Sequence, residues 1–298
     1  MTAVNGEDEL VRRQSFETDG PIEVDLGTGA GRIEVRLREG SGVDLEVRHD
    51  TSASSGFAQG VSGLISWLGG QLGEGQVASA PAEAVRQTRI DLSGGRLVVR
   101  TPRDLQLRSV PVAVTVRAPA GSHVSARSGS GDLVVSGTAG RVDLTTGSGR
   151  IAVDQANAAA RVETGSGPVR LGPMAAGVRV KSGSGDVEVT SVGGASSAVT
   201  GSGDVWFGAA TDDVLVRTGT GDVTIANATA GQLELHTGSG GIRVGIRPGT
   251  RAEIDLSSGS GEARSELDLT TRPPDSAPGL RIRGRTGSGT VLVTGATE

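Results

Sequence analysis

Hydrophobic and polar residues alternate along most of the chain, and from residue 128 to residue 237 the alternation repeats with a fixed period. Each repeat has a Gly-Ser-Gly or Gly-Thr-Gly tripeptide, then two apolar residues two positions apart, and nine residues later a second, usually apolar pair. A spacing of two places both members of a pair on the same face of a strand. The first glycine of the tripeptide recurs every 18 residues, at Gly129, Gly147, Gly165, Gly183, Gly201 and Gly219.

A period of this length predicts a solenoid. Each coil would hold two short strands back to back, with inward residues filling a thin core and glycines making the corners. Coils would stack as parallel strands about 4.8 Å apart, and parallel crossovers are overwhelmingly right-handed. The pattern predicts an all-β, right-handed parallel β-solenoid (β-helix) with 18-residue coils. Phe207 falls opposite the small residues Ser196 and Ala198 and is interpreted as core.

Residues 51–86 interrupt the alternation. Phe57, Leu64 and Leu68 fall on one face of an amphipathic helix, among other apolar residues at helical spacing. We therefore predict a short helical insertion near residues 55–75. Our hypothesis is that this insertion covers the open strand edges at one end of the solenoid or an adjacent sheet face. The alternative is that it docks a partner or, less favoured because the segment lacks basic residues, a membrane surface.

The sequence predicts two parts, a lead-in and one domain. Residues 1–20 are polar and are predicted to be a flexible lead-in, whereas residues 21–298 are predicted to form a single β-solenoid domain that contains the insertion. The lead-in has no apolar segment typical of a signal peptide, and no run of 18 apolar residues occurs in the chain. We therefore expect a cytoplasmic protein without a transmembrane segment, with the cell surface as the alternative.

The amino-acid composition argues against several classes of function. Cysteine is absent, which excludes disulfide and thiol chemistry. The net charge of −5, with scattered signs, argues against a nucleic-acid partner, which would need a basic patch. Tyrosine is absent as well, and few aromatic residues remain for stacking on sugars.

Four aspartates directly follow the tripeptide, and on stacked coils the last three would form a row of carboxylates. Such a row suggests calcium, as in nonapeptide β-rolls, but the opposite corners lack the second set of acids, and Arg150 and Pro168 interrupt the row. The other interpretation is a turn aspartate that accepts hydrogen bonds from corner amides, and we favour it, so no metal is predicted. The four residues are Asp132, Asp186, Asp204 and Asp222.

No catalytic residue and no cofactor is predicted. The histidines, His49, His123 and His236, are far apart and have no cysteine nearby. The serines of the tripeptides lack a recurring histidine or lysine that would activate them. We also expect no cluster of acidic and basic residues on one sheet face, the arrangement found in polysaccharide-cleaving β-helices.

Trp206 is the strongest candidate for a partner contact. It lies between two inward residues and should point outward, flanked by Glu188 and Thr224 on adjacent coils. An exposed tryptophan commonly anchors a partner, although partial burial under a loop is the alternative. The predicted insertion supplies the other candidates, Trp67, Phe57, Leu64 and Leu68.

Three motifs resemble a widespread bacterial family. They are the stretch from Ile22 to Val35 (IEVDLGTGAGRIEV), the repeated Gly-Ser-Gly-Asp-Val, and the closing Gly-Ser-Gly-Thr-Val-Leu-Val. The family is that of bacterial putative adhesins, a domain of unknown function, and the resemblance covers nearly the whole chain. It implies a single-stranded right-handed β-helix and, in some relatives, a role linked to the cell envelope. No catalytic residues come with it.

The favoured function is therefore a non-enzymatic interaction or scaffold protein that binds a protein partner or itself. No small-molecule ligand is expected. The alternative is an exported adhesin or a carbohydrate-binding surface protein.

Overall fold

The computed structural model describes residues 11–54, 74–104, 106–267 and 278–296. The chain divides into two compact units, which are Met1–Ala139 with Leu144–Arg150, and Gly140–Asp143 with Ile151–Glu298. Nearly all elements are β-strands, in agreement with the predicted all-β class. The single domain expected over residues 21–298 stays a prediction.

Unit 1 contains two sheets. One sheet has the order β1-β4-β7-β3-β9, and the other has the order β10-β8-β2-β6-β5, with β10 belonging to this unit from Leu144 onward. The strands are β1 (Val11–Phe16), β2 (Glu23–Ala30), β3 (Ile33–Arg38), β4 (Val43–His49), β5 (Arg89–Ser93), β6 (Arg96–Arg100), β7 (Val112–Pro119), β8 (His123–Ser130), β9 (Leu133–Ala139) and β10 (Val142–Ser148).

Three strand pairs of unit 1 depart from the predicted parallel stacking. The pairs β1–β4, β4–β7 and β5–β6 are antiparallel, whereas β2 and β3 pair in parallel with both of their neighbours. Strands β5 and β6 are joined by Gly94 and Gly95, whose φ angles are 56° and 74°. A two-residue turn with positive φ at both positions forms a hairpin, and it is too short for a parallel crossover.

The described helical elements lie on either side of most of the predicted insertion helix. A 3-10 helix spans Thr51–Ser54, and the helix α1 spans Glu74–Arg86 and lies against β4 and β1. Its residues Ala84 and Val85 are buried. The helix predicted near residues 55–75 lies almost entirely outside the described residues, together with Phe57, Leu64, Trp67 and Leu68.

The segment expected to be a lead-in contains a strand. Val11–Phe16 forms β1 and pairs with β4 at the edge of its sheet. The guanidinium Nη1 of Arg12 donates a hydrogen bond of 2.7 Å to the carbonyl of Thr88, just after α1. This bond ties the strand to the end of the helix.

Unit 2 also contains two sheets. Their orders are β11-β13-β15-β17-β19-β21-β25-β23 and β22-β24-β20-β18-β16-β14-β12. The strands are β11 (Ile151–Ala156), β12 (Ala160–Thr164), β13 (Val169–Met174), β14 (Val178–Ser182), β15 (Val187–Val192), β16 (Ser196–Ser202), β17 (Val205–Ala210), β18 (Val214–Thr220), β19 (Val223–Ala228), β20 (Gly231–Ser239), β21 (Ile242–Ile246), β22 (Ala252–Ser260), β23 (Ala263–Ser265), β24 (Leu280–Ser288) and β25 (Val291–Gly295).

Successive strands of unit 2 alternate between the two sheets, and the core lies between them. From β11 to β19 the paired residues are 18 positions apart, as for Val187 and Val205 or Glu188 and Trp206. From β11 to β21 the inward residues of the strands are buried, including Phe207. The core position predicted for Phe207 is therefore confirmed.

The order of coils in space departs from the order in sequence near the end of unit 2. Strand β24 lies between β20 and β22, and β25 lies between β21 and β23. The inserted strands bury Leu280, Ile282, Val291 and Val293, whereas β22 is only half-buried on its inward face. The more polar coil therefore occupies the edge of both sheets, where charged side chains discourage pairing with another chain.

A column of buried hydroxyls, which the sequence analysis did not anticipate, follows the corners. The residue before each tripeptide is threonine or serine. In most coils its hydroxyl donates to a carbonyl of the corner, as from Thr218 to Gly203 (3.3 Å) and from Thr237 to Gly221 (3.0 Å), whereas Thr164 Oγ1 accepts from the N–H of Gly167 (3.1 Å). These bonds satisfy buried polar atoms that would otherwise be costly. Buried members are Ser128, Thr146, Thr164, Ser182, Thr200, Thr218, Thr237 and Thr286.

The glycines of the tripeptide have two different roles. The third glycine often has positive φ, for example 144° at Gly203 and 147° at Gly221, which favours glycine sterically. The first glycine is required by close approach instead. A Cβ placed on Gly201 would lie 2.6 Å from the carbonyl oxygen of Gly183 in the preceding coil.

The substitution Gly201→Ala tests this close approach. We expect it to lower the free energy of unfolding by about 1–3 kcal/mol, because the added methyl group overpacks against backbone that cannot move aside. Gly20→Ala is the matched control, since a Cβ there meets nothing within 4 Å. Urea unfolding of both variants gives the comparison, and equal stabilities would contradict the role assigned to Gly201.

Candidate functional site

The corner aspartates form a ladder of hydrogen bonds from one coil to the next. Asp186 Oδ1 accepts from the backbone N–H of Asp204 (3.0 Å), and Asp204 Oδ1 accepts from that of Asp222 (2.8 Å). Asp222 Oδ1 accepts from the N–H of Gly241 (2.7 Å), and in unit 1 Asp132 Oδ1 accepts from that of Arg150 (2.9 Å). The interpretation of these residues as turn aspartates is confirmed.

Proline at position 168 fits the same ladder. It stands at the corner position where aspartate stands in later coils. Proline has no amide hydrogen, so this corner needs no carboxylate from a neighbouring coil. The interruption of the row at Pro168 is therefore compatible with a structural role of the aspartates.

The described residues contain no group of three or more histidine, cysteine, aspartate or glutamate side chains that could hold a metal ion. The histidines are also separate in the structure, with His49 on β4, His123 on β8 and His236 on β20. His236 Nε2 lies 3.0 Å from Glu234 Oε1 on its own strand.

The substitution Asp204→Ala tests the ladder. We expect it to lower the free energy of unfolding by about 1 kcal/mol, because the amide of Asp222 loses its acceptor. Chelation of calcium with EGTA should leave the melting temperature of the unmodified protein unchanged. A decrease of more than a few degrees on chelation would contradict the assignment and favour a calcium site.

Trp206 lies on the outward face of β17 and is 38% exposed. Its Cα partners on β15 and β19 are Glu188 and Thr224, as predicted. The indole lies against its own strand, because a Cβ placed on Gly208 would be 2.8 Å from Trp206 Cη2. The glycine therefore provides the space in which the ring rests.

The row of residues through Trp206 carries charged groups on both sides. Cα pairing places Arg170, Glu188, Trp206, Thr224 and Arg243 side by side on five neighbouring strands. Arg170 Nε lies 3.4 Å from Glu188 Oε2. We call this row the Trp206 surface.

The row beside the Trp206 surface is made largely of small residues. Gly172, Gly208 and Gly245 occupy it, and at each of them a Cβ would lie within 2.3 Å of a carbonyl oxygen of the neighbouring strand. Because the backbone of the neighbouring strand comes so close, only glycine fits at these three positions. The result is a flat strip of sheet next to an exposed aromatic ring.

Charged residues do cluster on one sheet face of unit 1, contrary to the sequence-based expectation. Arg36 Nε lies 2.7 Å from Glu34 Oε1 on β3, and Arg13 Nε of β1 lies 2.9 Å from Glu46 Oε2 of β4. These residues and Arg117 of β7 line a depression of about 350 Å³. The clustering was missed because it requires the order β1-β4-β7-β3, which the alternation of residues does not specify.

A buried carboxylate lies on the other sheet of unit 1. Asp25 on β2 is 7% exposed, and its Oδ2 lies 2.7 Å from Nη2 of both Arg96 and Arg100 on β6. Burial alone would raise the pKa of Asp25, but the hydrogen bonds and charges of the two arginines outweigh burial and lower it below 3.8.

The substitution Asp25→Asn is expected to lower the free energy of unfolding by about 1–3 kcal/mol at pH 7. Because the folded pKa is below the unfolded one, the carboxylate stabilises the fold above pH 3.8, and this contribution is lost as the pH falls through the lower folded value. Urea unfolding at pH 7, 5 and 3 should show the difference from the unmodified protein narrowing at pH 3.

The exposed pair of Asp91 and Arg89, 3.6 Å apart, provides the control. Asp91→Asn should change stability by less than about 1 kcal/mol at every pH. A difference for Asp25→Asn that did not depend on pH would contradict the role of its charge.

A family model matches residues 96–272, more than half of the chain, and its description is Toastrack DUF4097. The chain belongs to the Toastrack family. The assignment confirms the resemblance seen in the sequence. The family is defined as a domain of unknown function, so it identifies no catalytic residues. Among curated proteins, no sequence matches this Toastrack chain.

Solved structures with similar chains are distant in sequence. A putative adhesin from Bacteroides fragilis is 12% identical, with 95% of this chain and 96% of that chain covered and a TM-score of 0.43. A putative lipid-binding protein from Parabacteroides distasonis is 12% identical, with 98% and 96% covered and a TM-score of 0.37. The family assignment therefore rests on the family model alone.

Within the part of the chain that the structure describes, no helix combines the length and the apolar character needed to cross a membrane.

Proposed function

We propose that this Toastrack protein is a non-enzymatic interaction protein and that it binds a protein partner through the Trp206 surface. The observation that supports the proposal is the exposed indole of Trp206, which rests on Gly208 beside a flat strip of sheet. A tryptophan held against rigid backbone loses little conformational freedom on binding, and such residues contribute strongly to interfaces.

The charges of the Trp206 surface favour a partner segment with an acidic side chain. Glu188 already pairs with Arg170 (3.4 Å), whereas Arg243 makes no ion pair with any residue that the structure describes. An acidic group beside an aromatic or aliphatic anchor would pair with Arg243 while the anchor covers the indole. The flat strip leaves room for extended backbone.

A carbohydrate is the second candidate occupant. One side of the indole rests on Gly208, and the partial exposure of Trp206 leaves aromatic surface for a sugar ring. This would fit an exported adhesin or a carbohydrate-binding surface protein, the alternative of the sequence analysis.

Crosslinking in native cells tests the proposal. With p-benzoylphenylalanine in place of Trp206, we expect a discrete protein adduct, either with another protein or with a second copy of the chain. The same replacement at Val199 is the control, because Val199 is similarly exposed (41%) but lies on the other sheet.

The crosslinking result separates the candidates. Identical adduct patterns at the two positions, or none at position 206, would contradict a protein-binding Trp206 surface. Binding to a glycan array that Trp206→Ala abolishes would favour the carbohydrate alternative. Sedimentation velocity of the unmodified protein and Trp206→Ala would identify self-association.

The cellular location is tested separately. The sequence predicts a cytoplasmic protein, with the cell surface as the alternative. Fractionation of native cells followed by immunoblotting distinguishes them, and protease accessibility on intact cells would overturn the cytoplasmic expectation. The right-handed winding and the 18-residue coils likewise remain predictions.

A further inference from the structure

We propose that a basic cavity of unit 1 binds the phosphate or sulfate group of an anionic ligand. The cavity has a volume of about 580 Å³, within the range of small-ligand sites. Four arginines line it, together with glycine, serine, threonine and proline, and no acidic residue does so. We call it the arginine cavity, and its arginines are Arg100, Arg103, Arg108 and Arg127.

Strand pairing places two of these arginines on either side of a glycine. Gly27 of β2 is the Cα partner of Arg100 on β6 and of Arg127 on β8. Because Gly27 has no side chain, the space above it is available, and Arg100 leans into it. A Cβ on Gly27 would lie 3.0 Å from Arg100 Cδ.

The loop after β6 supplies the other two arginines. The N–H of Thr101 donates to the carbonyl of Gly27 (3.1 Å), and the N–H of Gly29 donates to Thr101 Oγ1 (3.3 Å). Further along, the carbonyl oxygen of Arg108 would be only 2.1 Å from a Cβ on Gly29. The loop is therefore held over the Gly27–Gly29 segment, which brings Arg103 and Arg108 to the cavity.

The positive charge of the arginine cavity is only partly compensated. Arg100 binds Asp25 (2.7 Å), but Asp25 is shared with Arg96. Arg103, Arg108 and Arg127 form no ion pair within the described part of the chain. Since the whole chain carries a net charge of −5, this local excess is not a general property of the surface.

Guanidinium groups select the chemistry of the ligand. Each presents several N–H donors in a planar fork that matches the oxygens of a phosphate or sulfate group. A concave wall of one charge sign also concentrates the field on an entering anion. The group could belong to a soluble phosphate ester or to a lipid headgroup, and both share this chemistry.

This site departs from the expectation that the protein takes no small-molecule ligand. Gly27, Arg100 and Arg127 are far apart in the sequence, and only the pairing of β6, β2 and β8 brings them together. The arginine cavity also lies in a different unit from the Trp206 surface. The two proposals can therefore fail independently.

Titration with defined probes tests the site. Glycerol 3-phosphate and inorganic phosphate are titrated at constant ionic strength, with chloride as the reference anion and isothermal calorimetry or NMR shifts as the readout. Flotation with phosphatidylcholine vesicles, with and without 20% phosphatidic acid, provides the lipid probe. We expect saturable binding of at least one phosphate probe and none of chloride.

Variants assign the binding to the cavity. Arg103→Gln/Arg108→Gln should weaken the affinity at least tenfold, and both residues are exposed on a loop, so the fold should persist. Arg179→Gln/Arg251→Gln removes the same charge from exposed positions of unit 2 and should leave the affinity unchanged. Circular dichroism checks folding, and Arg127→Gln is the substitute if the loop variant unfolds.

Each outcome decides the proposal. If the soluble phosphates bind and the binding depends on the arginines, the proposal is supported and the ligand is a soluble phosphate ester. If only the phosphatidic acid vesicles bind in this way, the proposal is supported and the phosphate belongs to a lipid headgroup. Absence of binding to every phosphate probe, or equal loss in the cavity and control variants, overturns it. Trp206→Ala should bind the probes as the unmodified protein does.

Discussion

The structure of both units depends on the direct stacking of backbone on backbone at the corners. At the first glycine of successive tripeptides, the carbonyl oxygen of the previous coil occupies the space of a side chain, with 2.3 Å to a Cβ on Gly183 and 2.6 Å to one on Gly201. This contact keeps the strands in register, and the register aligns the hydroxyl column inside the corner and the carboxylate ladder outside it. The two sets of hydrogen bonds supplement a thin apolar core, because they pair polar groups of the corners.

Both candidate sites arise where a glycine replaces an outward side chain within a strand. Gly208 leaves the space on which the indole of Trp206 rests, and Gly27 leaves the space between Arg100 and Arg127. A regular sheet face offers few concave places to a ligand. Missing side chains therefore create the shape at both sites, and the neighbouring residues provide the chemistry.

The sequence predicts the coil well and the arrangement of coils poorly. The spacing of two between apolar residues gave the buried face, including Phe207, and the outward direction of Trp206. The hydroxyl column was not predicted, although threonine or serine precedes each tripeptide in the sequence. Which coils lie next to each other could not be predicted, because coils with the same residue pattern can pair equally well with one another. The insertion of β24 and β25, the antiparallel β4 and the arginine cavity all depend on the order of strands in the sheets.

The interleaved order of strands in unit 2 has a consequence for synthesis on the ribosome. Strands β20 and β22 are separated by β24, which emerges about 20 residues after β22 is complete. Until β24 and β25 have been synthesised, β20 and β21 lack the strands that flank them on one side in the final structure. The native pairing of this region therefore forms only after β24 and β25 have been synthesised, and the polar strands β22 and β23 cannot reach their native neighbours before then.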